Sequence, residues 1–276
     1  MRLVSRPVHA FVYLGIHAPA HRRTAEEVEE GRTSEEISAS VSASSTNASH
    51  NLYKQMFSQL HGSRHVKRVL AIGDSLTEGS ITGGLHYYPY TNKLEHLLNT
   101  EFNETRFEVL NEGVGTSNSS QYFVDHIEEI LDREKDHGVS FLVVVFGSNE
   151  YRKPSCERDE PIAENIIKLH RAAHERSLTT ILATIPGCGD MTPACKKSRF
   201  RGNKKLRKYA RSERERTLLL DLAVELPNAN LFDFDRKIYW DDCVHPSRIG
   251  YDKLADLVFH VLKPAFDERS KVLFTG

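Results

Sequence analysis

Short apolar runs alternate along the chain with longer segments in which apolar residues recur every three or four positions. Five of the runs have the length and the aliphatic, β-branched content of strands; they cover residues 66–72, 107–111, 141–146, 180–184 and 217–222. Nearly continuous apolar runs are typical of parallel strands that are buried on both faces. The pattern therefore predicts an α/β protein with a five-stranded parallel sheet.

The segments between the runs have the period of helices. Each carries one apolar stripe, formed by Tyr90, Leu94 and Leu97, by Phe123, Ile127 and Ile130, by Ile162, Ile166, Leu169 and Ala173, and by Tyr251, Leu254, Val258 and Val261. A helix with a single apolar stripe buries that stripe against another element. With helices on both faces, the sheet becomes the middle layer of a three-layer α/β/α sandwich.

Residues 1–50 show neither pattern. The first 23 residues contain four Arg and no acid, and residues 33–50 are rich in Ser and Ala. Such segments bury too little apolar surface to fold alone. We therefore predict a disordered or targeting tail with a Ser-rich linker over residues 1–50, one folded domain over residues 51–270, and a C-terminal tail over residues 271–276.

Composition changes this picture little. Of the 276 residues, 39% are hydrophobic and 27% are charged, and the net charge is −1. These values are ordinary for a soluble globular protein, and no apolar run approaches the roughly 20 residues that span a bilayer. The compartment stays open: a cytoplasmic protein is favoured, and organellar targeting by the N-terminal tail is the alternative.

The four cysteines form no CxxC pair, and the histidines lack metal-ligand spacing. We therefore expect no metal and no organic cofactor. A disulfide between Cys188 and Cys195 would close one loop in an oxidising compartment, and free thiols are the alternative. Cys243 is interpreted as a small buried filler.

Four polar motifs follow the predicted strands. Residues 73–76 read Gly-Asp-Ser-Leu, residues 111–115 Asn-Glu-Gly-Val-Gly, residues 147–150 Gly-Ser-Asn-Glu, and residues 242–245 Asp-Cys-Val-His. The first three come directly after the first three strands, and the last precedes the final helix. Because ligand sites in open α/β sheets gather at the carboxyl ends of the strands, we expect the four motifs to converge there.

The residue types in these motifs are those of a serine hydrolase. A serine hydroxyl such as that of Ser75 becomes a nucleophile when an imidazole such as that of His245 takes its proton. Asp242, three residues before His245, can hold the imidazole in the required tautomer. The oxyanion that forms needs preorganised donors, and the Asn149 amide is one candidate.

The chain resembles the GDSL or SGNH hydrolase family from about Val66 to Leu262. The similarity rests on Gly-Asp-Ser-Leu-Thr-Glu-Gly at residues 73–79 and on Asp-x-x-His-Pro-Ser at residues 242–247, in that order and with strands between them. The resemblance implies a flavodoxin-like sandwich, a nucleophile at Ser75, a general base at His245 and an orienting Asp242. The Gly-x-Ser-x-Gly elbow of the ordinary α/β-hydrolases is absent.

The family's oxyanion hole implies three donors here: the backbone N–H of Ser75, a backbone N–H in the second motif, and the side chain of Asn149. The second motif departs from the family because Thr116 stands where a glycine is usual. Gly115 is our choice for the donor and Thr116 is the rival. Glu150 replaces the usual Asp after Asn149, and we expect it to support loop geometry.

These observations predict a serine esterase that hydrolyses carboxylic esters through an acyl-enzyme. The substrate is expected to be a small-molecule or lipid ester; lysophospholipase or thioesterase activity stays open. An alternative is a catalytically silent binding protein with the same fold. The loop over residues 81–90 either lines the substrate pocket or packs its aromatic residues against the domain.

A basic segment follows the fourth strand. Between Lys196 and Arg216 lie eleven Lys or Arg residues and two acids, Glu213 and Glu215. A solvated helix face is the favoured interpretation, and peripheral contact with an anionic surface is the alternative. Nucleic acid is not an expected partner because no recognition module accompanies the segment. The oligomeric state is not predicted.

Overall fold

This computed structural model describes residues 66–115, 119–135, 137–146, 150–152, 156, 161–187, 191–228 and 233–266. The predicted tails over residues 1–50 and 271–276 lie outside these ranges, so the domain boundaries stay a prediction. Thr116, Asn149 and Cys188 also lie outside the described residues.

The strands are β1 Val66–Gly73, β2 Ser80–Ile81, β3 His86–Tyr87, β4 Arg106–Gly113, β5 Val139–Val145, β6 Thr179–Ala183 and β7 Thr217–Leu220. The helices are α1 Ser75–Glu78, α2 Tyr90–Glu101, α3 Ser119–Lys135, α4 Ile162–Glu175, α5 Pro193–Ser212, α6 Leu222–Glu225, α7 Asp233–Tyr239 and α8 Arg248–Phe266. Two 3-10 turns cover Thr82–Gly84 and Glu150–Arg152.

The main sheet confirms the predicted architecture. Five strands pair in the order β4-β1-β5-β6-β7, and every neighbouring pair is parallel. Numbered along the chain, these strands follow the order 2-1-3-4-5, which is the flavodoxin-like arrangement. The strands β2 and β3 form a separate antiparallel hairpin after β1.

Alternate residues of the strands enter two hydrophobic cores. Leu70 and Ile72 of β1 pack on one side with residues of α3, α4 and α5, whereas Val69 and Ala71 pack on the other side with α2 and α8. All four β1 residues are fully buried. Because both faces of the sheet are covered, its strands read as unbroken apolar runs in the sequence.

The disulfide joins a pair that the sequence did not suggest. Cys195 is bonded to Cys156, with their Cα atoms 5.4 Å apart, so neither the Cys188–Cys195 bridge nor the free thiol left open for Cys195 is found. Cys195 lies in the first turn of α5 on its buried side, where it meets Cys156 beyond the turn at Glu150–Arg152. Cys156 is the partner of Cys195 because the packing of α5 brings the two residues together, although Cys188 is nearer in the sequence. Cys243 is partly buried against the same core, as expected of a filler.

Among the described residues, no helix is both long and apolar enough to cross a bilayer.

Candidate active site

The turn after β1 places Ser75 at the start of a short helix. The Asp74 side chain accepts a hydrogen bond from the N–H of Leu76 at 2.9 Å and so caps α1. The helix ends at Gly79, whose φ of +89° is left-handed. A Cβ at Gly79 would lie 2.3 Å from the nitrogen of Pro89, so both backbone conformation and space require glycine.

Hydrogen bonds to three other elements fix this turn. The hydroxyl of Thr77 donates to the carbonyl of Val145 in β5 at 3.1 Å. Asn111 of β4 donates to the carbonyl of Thr77 at 2.8 Å. The hydroxyl of Tyr251 donates to the Ser75 carbonyl at 3.3 Å and to the Ser80 carbonyl at 2.9 Å. The turn that carries Ser75 is thus held from β4, β5 and α8 together.

Sequence reasoning missed the roles of Asn111 and Tyr251. From the sequence, Tyr251 belongs only to the apolar stripe of the last helix. The other members of that stripe are aliphatic, and a buried tyrosine hydroxyl usually has a hydrogen-bond partner, so the tyrosine itself was the signal for a polar contact. Burial raises the pKa of the Tyr251 hydroxyl, so the group remains a neutral donor. Asn111 stood in a recognised motif, but nothing in its spacing revealed its contact with Thr77.

The hydroxyl of Ser75 and the imidazole of His245 lie within hydrogen-bonding distance. Ser75 Oγ is 2.9 Å from His245 Nε2, although the two residues are 170 positions apart in the sequence. On the other side of the ring, His245 Nδ1 is 2.7 Å from Asp242 Oδ2. Ser75, His245 and Asp242 therefore form one continuous hydrogen-bonded chain.

The Asp242 carboxylate is held in its ionised form. Burial raises its pKa, but hydrogen bonds from the His245 ring and from the backbone N–H groups of His245 and Val244 outweigh that effect and lower the pKa to about 2. Both backbone N–H groups donate to Oδ1 at 2.6 Å, which leaves Oδ2 for the imidazole. An ionised Asp242 fixes the ring with its Nδ1 proton facing the carboxylate and Nε2 facing Ser75.

The loop that carries Asp242 and His245 is closed at both ends. Trp240 and Pro246 form an isolated antiparallel bridge, and the N–H of Asp241 donates to the His245 carbonyl at 2.9 Å. Ser247 then caps α8, since its hydroxyl accepts the N–H of Gly250 at 3.2 Å. This cap sets where the loop ends and the helix begins.

The hairpin of β2 and β3 packs against this loop. The N–H of Thr82 donates to Asp241 Oδ2 at 2.6 Å. Thr82 has a left-handed φ of +53°. Of the aromatic residues in this segment, Tyr90 is fully buried in the core, whereas Tyr87 is 57% exposed.

The second motif runs alongside α1. A Cβ at Gly113 would lie 2.1 Å from the backbone nitrogen of Glu78, and a Cβ at Gly115 would lie 2.5 Å from the Glu78 carboxylate. The N–H of Val114 donates to the carbonyl of Gly73 at 2.9 Å. Gly115 therefore lies beside Glu78, the last residue of α1, and Ser75 is the first residue of the same helix.

Glu150 of the third motif is structural. Its side chain is buried, and Oε1 accepts the backbone N–H of Ser120 at 2.8 Å. That contact places a carboxylate at the first turn of α3, where the helix dipole favours negative charge. The geometry agrees with the supporting role expected of Glu150. Asn149, the neighbouring oxyanion candidate, is outside the described part of the chain.

Within the residues described, no group of three or more His, Cys, Asp or Glu side chains is placed to hold a metal ion. The hydrogen-bonded chain of Ser75, His245 and Asp242 is an arrangement that suits covalent acyl transfer.

Comparison with known proteins matches residues 71–253 to the model of the GDSL-like Lipase/Acylhydrolase family. No curated protein matches the chain. Similar solved structures include an acetylxylan esterase from Geobacillus stearothermophilus, at 20% identity and a TM-score of 0.54, covering 71% of this chain and 93% of that one. A GDSL-like lipase from Bacteroides thetaiotaomicron has 16% identity and a TM-score of 0.54, covering 72% and 89%. At these identities, the likeness shows the fold.

Proposed function

Because the chain belongs to the GDSL-like lipase/acylhydrolase family and is a hydrolase of ester bonds, we propose that it is a serine esterase in which Ser75, His245 and Asp242 carry the reaction. The observation that carries the proposal is the unbroken chain of hydrogen bonds, 2.9 Å from Ser75 to His245 and 2.7 Å from His245 to Asp242. These are the contacts that a nucleophile, a base and an orienting acid need.

In the first half of the reaction, Ser75 Oγ attacks the ester carbonyl carbon while His245 Nε2 takes the hydroxyl proton. The resulting imidazolium is stabilised by the ionised Asp242 carboxylate. As the tetrahedral intermediate collapses, His245 returns the proton to the leaving alkoxide, and the alcohol departs. The acyl group remains on Ser75 as an ester.

In the second half, a water molecule attacks the acyl-enzyme. His245 takes a proton from this water and then gives it to Ser75 Oγ, so the carboxylic acid is released and the enzyme is restored. Asp242 stays ionised throughout, since its pKa is about 2.

Three donors are proposed for the oxyanion. Ser75 is the first residue of α1, so its backbone N–H has no carbonyl one turn earlier to bond. The N–H of Gly115 comes from the segment that passes beside Glu78. The side-chain amide of Asn149 is the third donor, and the N–H of Thr116 is the rival to that of Gly115.

The substrate is proposed to be a small-molecule or lipid carboxylic ester. Acetyl groups on carbohydrates, lysophospholipids and thioesters are the classes to compare. The acetylxylan esterase of similar fold makes acetylated xylo-oligosaccharides a reasonable member of the panel. Varying the acyl length against one leaving group would show which class fits.

Hydrolysis of p-nitrophenyl acetate and butyrate tests the proposed nucleophile. Ser75→Ala should reduce turnover to near background, and Asn149→Ala should reduce it about 10²- to 10³-fold, because one oxyanion donor is lost. Ser80→Ala is the matched control, since this neighbouring serine is also buried.

A fluorophosphonate probe gives an independent readout. The parent and Ser80→Ala should be labelled, and Ser75→Ala should not. If Ser75→Ala hydrolysed esters like the parent, Ser75 would be removed from the mechanism. If the parent neither reacted nor hydrolysed any ester in the panel, the silent binding protein would be the better interpretation.

A further inference from the structure

The outward face of α5 is made of cations around one aromatic ring. The buried side of the helix includes Cys195, Gly202, Leu206 and Tyr209. At 100° per residue, the exposed residues occupy the opposite half of the helix. Between positions 196 and 211 they are Lys196, Lys197, Phe200, Arg201, Lys204, Lys205, Lys208 and Arg211. We call this set the basic face; no acidic residue occurs anywhere in α5.

Most of these charges are not used to hold the fold. Lys205 pairs with Glu164, and Arg207, at the border of the face, pairs with Asp221 at 2.7 Å. By contrast, five members of the basic face make no ion pair with any residue that the structure describes: Lys196, Lys197, Lys204, Lys208 and Arg211. A helix face that is only solvated usually mixes both signs, because like charges four residues apart repel. Lys204 and Lys208 are such a pair.

Phe200 lies within the basic face and is 66% exposed. A single exposed apolar residue needs no explanation by itself. An aromatic ring surrounded by cations on an amphipathic helix, however, has the composition of a helix that lies in a lipid interface. The 20 residues of α5 extend for about 30 Å, long enough to contact many headgroups.

The basic face begins at the same edge of the sheet as the active site. The Asn203 side chain accepts the N–H of Ile185, just beyond the carboxyl end of β6, at 2.8 Å. Since β1 and β6 are parallel members of one sheet, their carboxyl ends share an edge. The first half of α5, with Lys196, Lys197 and Phe200, is therefore the half nearer to Ser75.

We propose that the basic face of α5 binds an anionic phospholipid surface, with the cations contacting headgroup phosphates and carboxylates and Phe200 entering the interface. A phospholipid surface fits better than nucleic acid because it accounts for the exposed ring as well as for the charge. The proposal does not depend on catalysis by Ser75.

Sedimentation with vesicles tests the proposal. The parent should bind vesicles of equal phosphatidylserine and phosphatidylcholine, and should not bind pure phosphatidylcholine. Added salt should release it, since exposed charges are screened. Lys204→Glu with Lys208→Glu should weaken binding at least about tenfold, because each basic residue near an anionic surface contributes about fivefold. Phe200→Ser should weaken binding while leaving its salt dependence unchanged.

A matched control makes the same change in net charge elsewhere. Lys135 of α3 and Lys237 of α7 are exposed, and Lys135→Glu with Lys237→Glu should bind like the parent. Circular dichroism and p-nitrophenyl acetate hydrolysis should be unchanged in both double variants, which shows that each is folded. Ser75→Ala should also bind like the parent, so a failure of the esterase proposal is distinguishable from a failure here.

Three results would overturn the inference: no binding of the parent to anionic vesicles, equal binding to neutral vesicles, or equal binding of the α5 double variant and its control. Tighter binding to duplex DNA than to vesicles at the same ionic strength would assign the basic face to nucleic acid instead.

Discussion

Ser75 owes its position to polar contacts made around it. The Asp74 side chain caps the N-terminus of α1, and the hydroxyl of Tyr251 donates a hydrogen bond to the carbonyl of Ser75 itself. Asn111 holds the carbonyl of Thr77, two residues further along. Because each contact comes from a different element, a change in any of them would move Ser75 relative to His245. Precise placement matters because proton transfer depends steeply on distance and direction.

Gly115 gives a direct test of the backbone donor. Gly115→Pro removes its N–H and should reduce turnover about 10²- to 10³-fold, whereas Gly115→Ala keeps the N–H and should stay near the parent. The alanine Cβ would meet only the flexible end of the Glu78 side chain. Steady-state kinetics with p-nitrophenyl butyrate measures the difference, and thermal melting checks the fold. If Thr116→Pro proved severe and Gly115→Pro mild, the donor would be Thr116.

His170 is a fully buried histidine outside the active site. Neither of its ring nitrogens has a hydrogen-bond partner among the residues that the structure describes. Burial, together with the nearby His174, lowers the pKa of His170 from 6.5 to about 3. The folded protein therefore keeps this ring neutral at pH values where the unfolded chain binds a proton. The stability that depends on the neutral ring is complete above pH 6.5 and is lost as the pH falls toward 3.

Replacing His170 should remove this pH dependence. As the pH falls below 6.5, the parent should lose up to about 1.4 kcal/mol of unfolding free energy per pH unit relative to His170→Leu. The variant should also be at least as stable at neutral pH, because two unpartnered polar atoms leave the core. Urea unfolding between pH 7.5 and 5 measures both effects. Equal pH slopes in the two proteins would contradict this account of His170.

At the scale of elements, the hairpin of β2 and β3 connects the turn that carries Ser75 to the loop that carries His245. Asp241 makes this connection, since its N–H donates to the His245 carbonyl and its carboxylate accepts the N–H of Thr82. The hairpin also exposes Leu85 and Tyr87. Asp241 is therefore placed to hold the hairpin against the loop that carries His245.

Asp241→Ala should reduce kcat/KM about fivefold to tenfold with p-nitrophenyl butyrate, because the hydrogen bond to Thr82 is lost. Asp241→Asn retains an oxygen acceptor and should recover most of the activity. If Asp241→Asn recovers activity, the hydrogen bond to Thr82 is what matters at this position and not the negative charge of the carboxylate. Parental kcat/KM in Asp241→Ala would mean that the hairpin contact does not affect the site.

Element boundaries show where sequence patterns lose precision. Residues 217–222 were predicted as one strand, but β7 ends at Leu220 because Asp221 turns the chain into α6. Residues 141–146 were predicted for the third strand, and β5 instead covers Val139–Val145. An apolar run in the sequence indicates which residues are buried. The end of a strand depends instead on where the neighbouring strand stops supplying hydrogen-bond partners, so the two boundaries differ by one or two residues.

At the scale of the whole molecule, strand order decides where the site lies. The chain passes from β1 to β4 at one edge and then returns past β1 to β5. The connection after β1 leads to β4 on one side, whereas the connection after β5 leads to β6 on the other, and this reversal opens a crevice at the carboxyl ends of β1 and β5. Ser75 follows β1 at that crevice, and the third motif follows β5.

The bridge between Cys156 and Cys195 joins segments 39 residues apart. Cys156→Ser should lower the free energy of unfolding by about 3–4 kcal/mol in the chain-entropy model, and reduction of the parent should do the same. Cys243→Ser is the matched control because Cys243 is not in the bridge. Urea unfolding and peptide mapping without reductant provide the measurements. If peptide mapping found Cys195 joined to Cys188, the pairing described here would be wrong.

The sequence alone determined the class of fold and the identity of the polar residues at its edge. Apolar runs and stripes specify which elements form and which faces they bury, and such local periodicity is independent of distant residues. The order of the motifs along these elements was enough to predict that Ser75, Asp242 and His245 belong to one site.

Tertiary structure alone decided the contacts that arise when separate elements pack. The support of Ser75 by Tyr251 and Asn111, the link from Asp241 to Thr82, and the choice of Cys156 as the partner of Cys195 all depend on side chains that meet only after the sheet has formed. The number of residues between two positions does not predict the distance between their side chains. That distance depends on how the helices pack on the sheet and on which face of its element each residue occupies. The same stacking leaves the basic face of α5 on the surface.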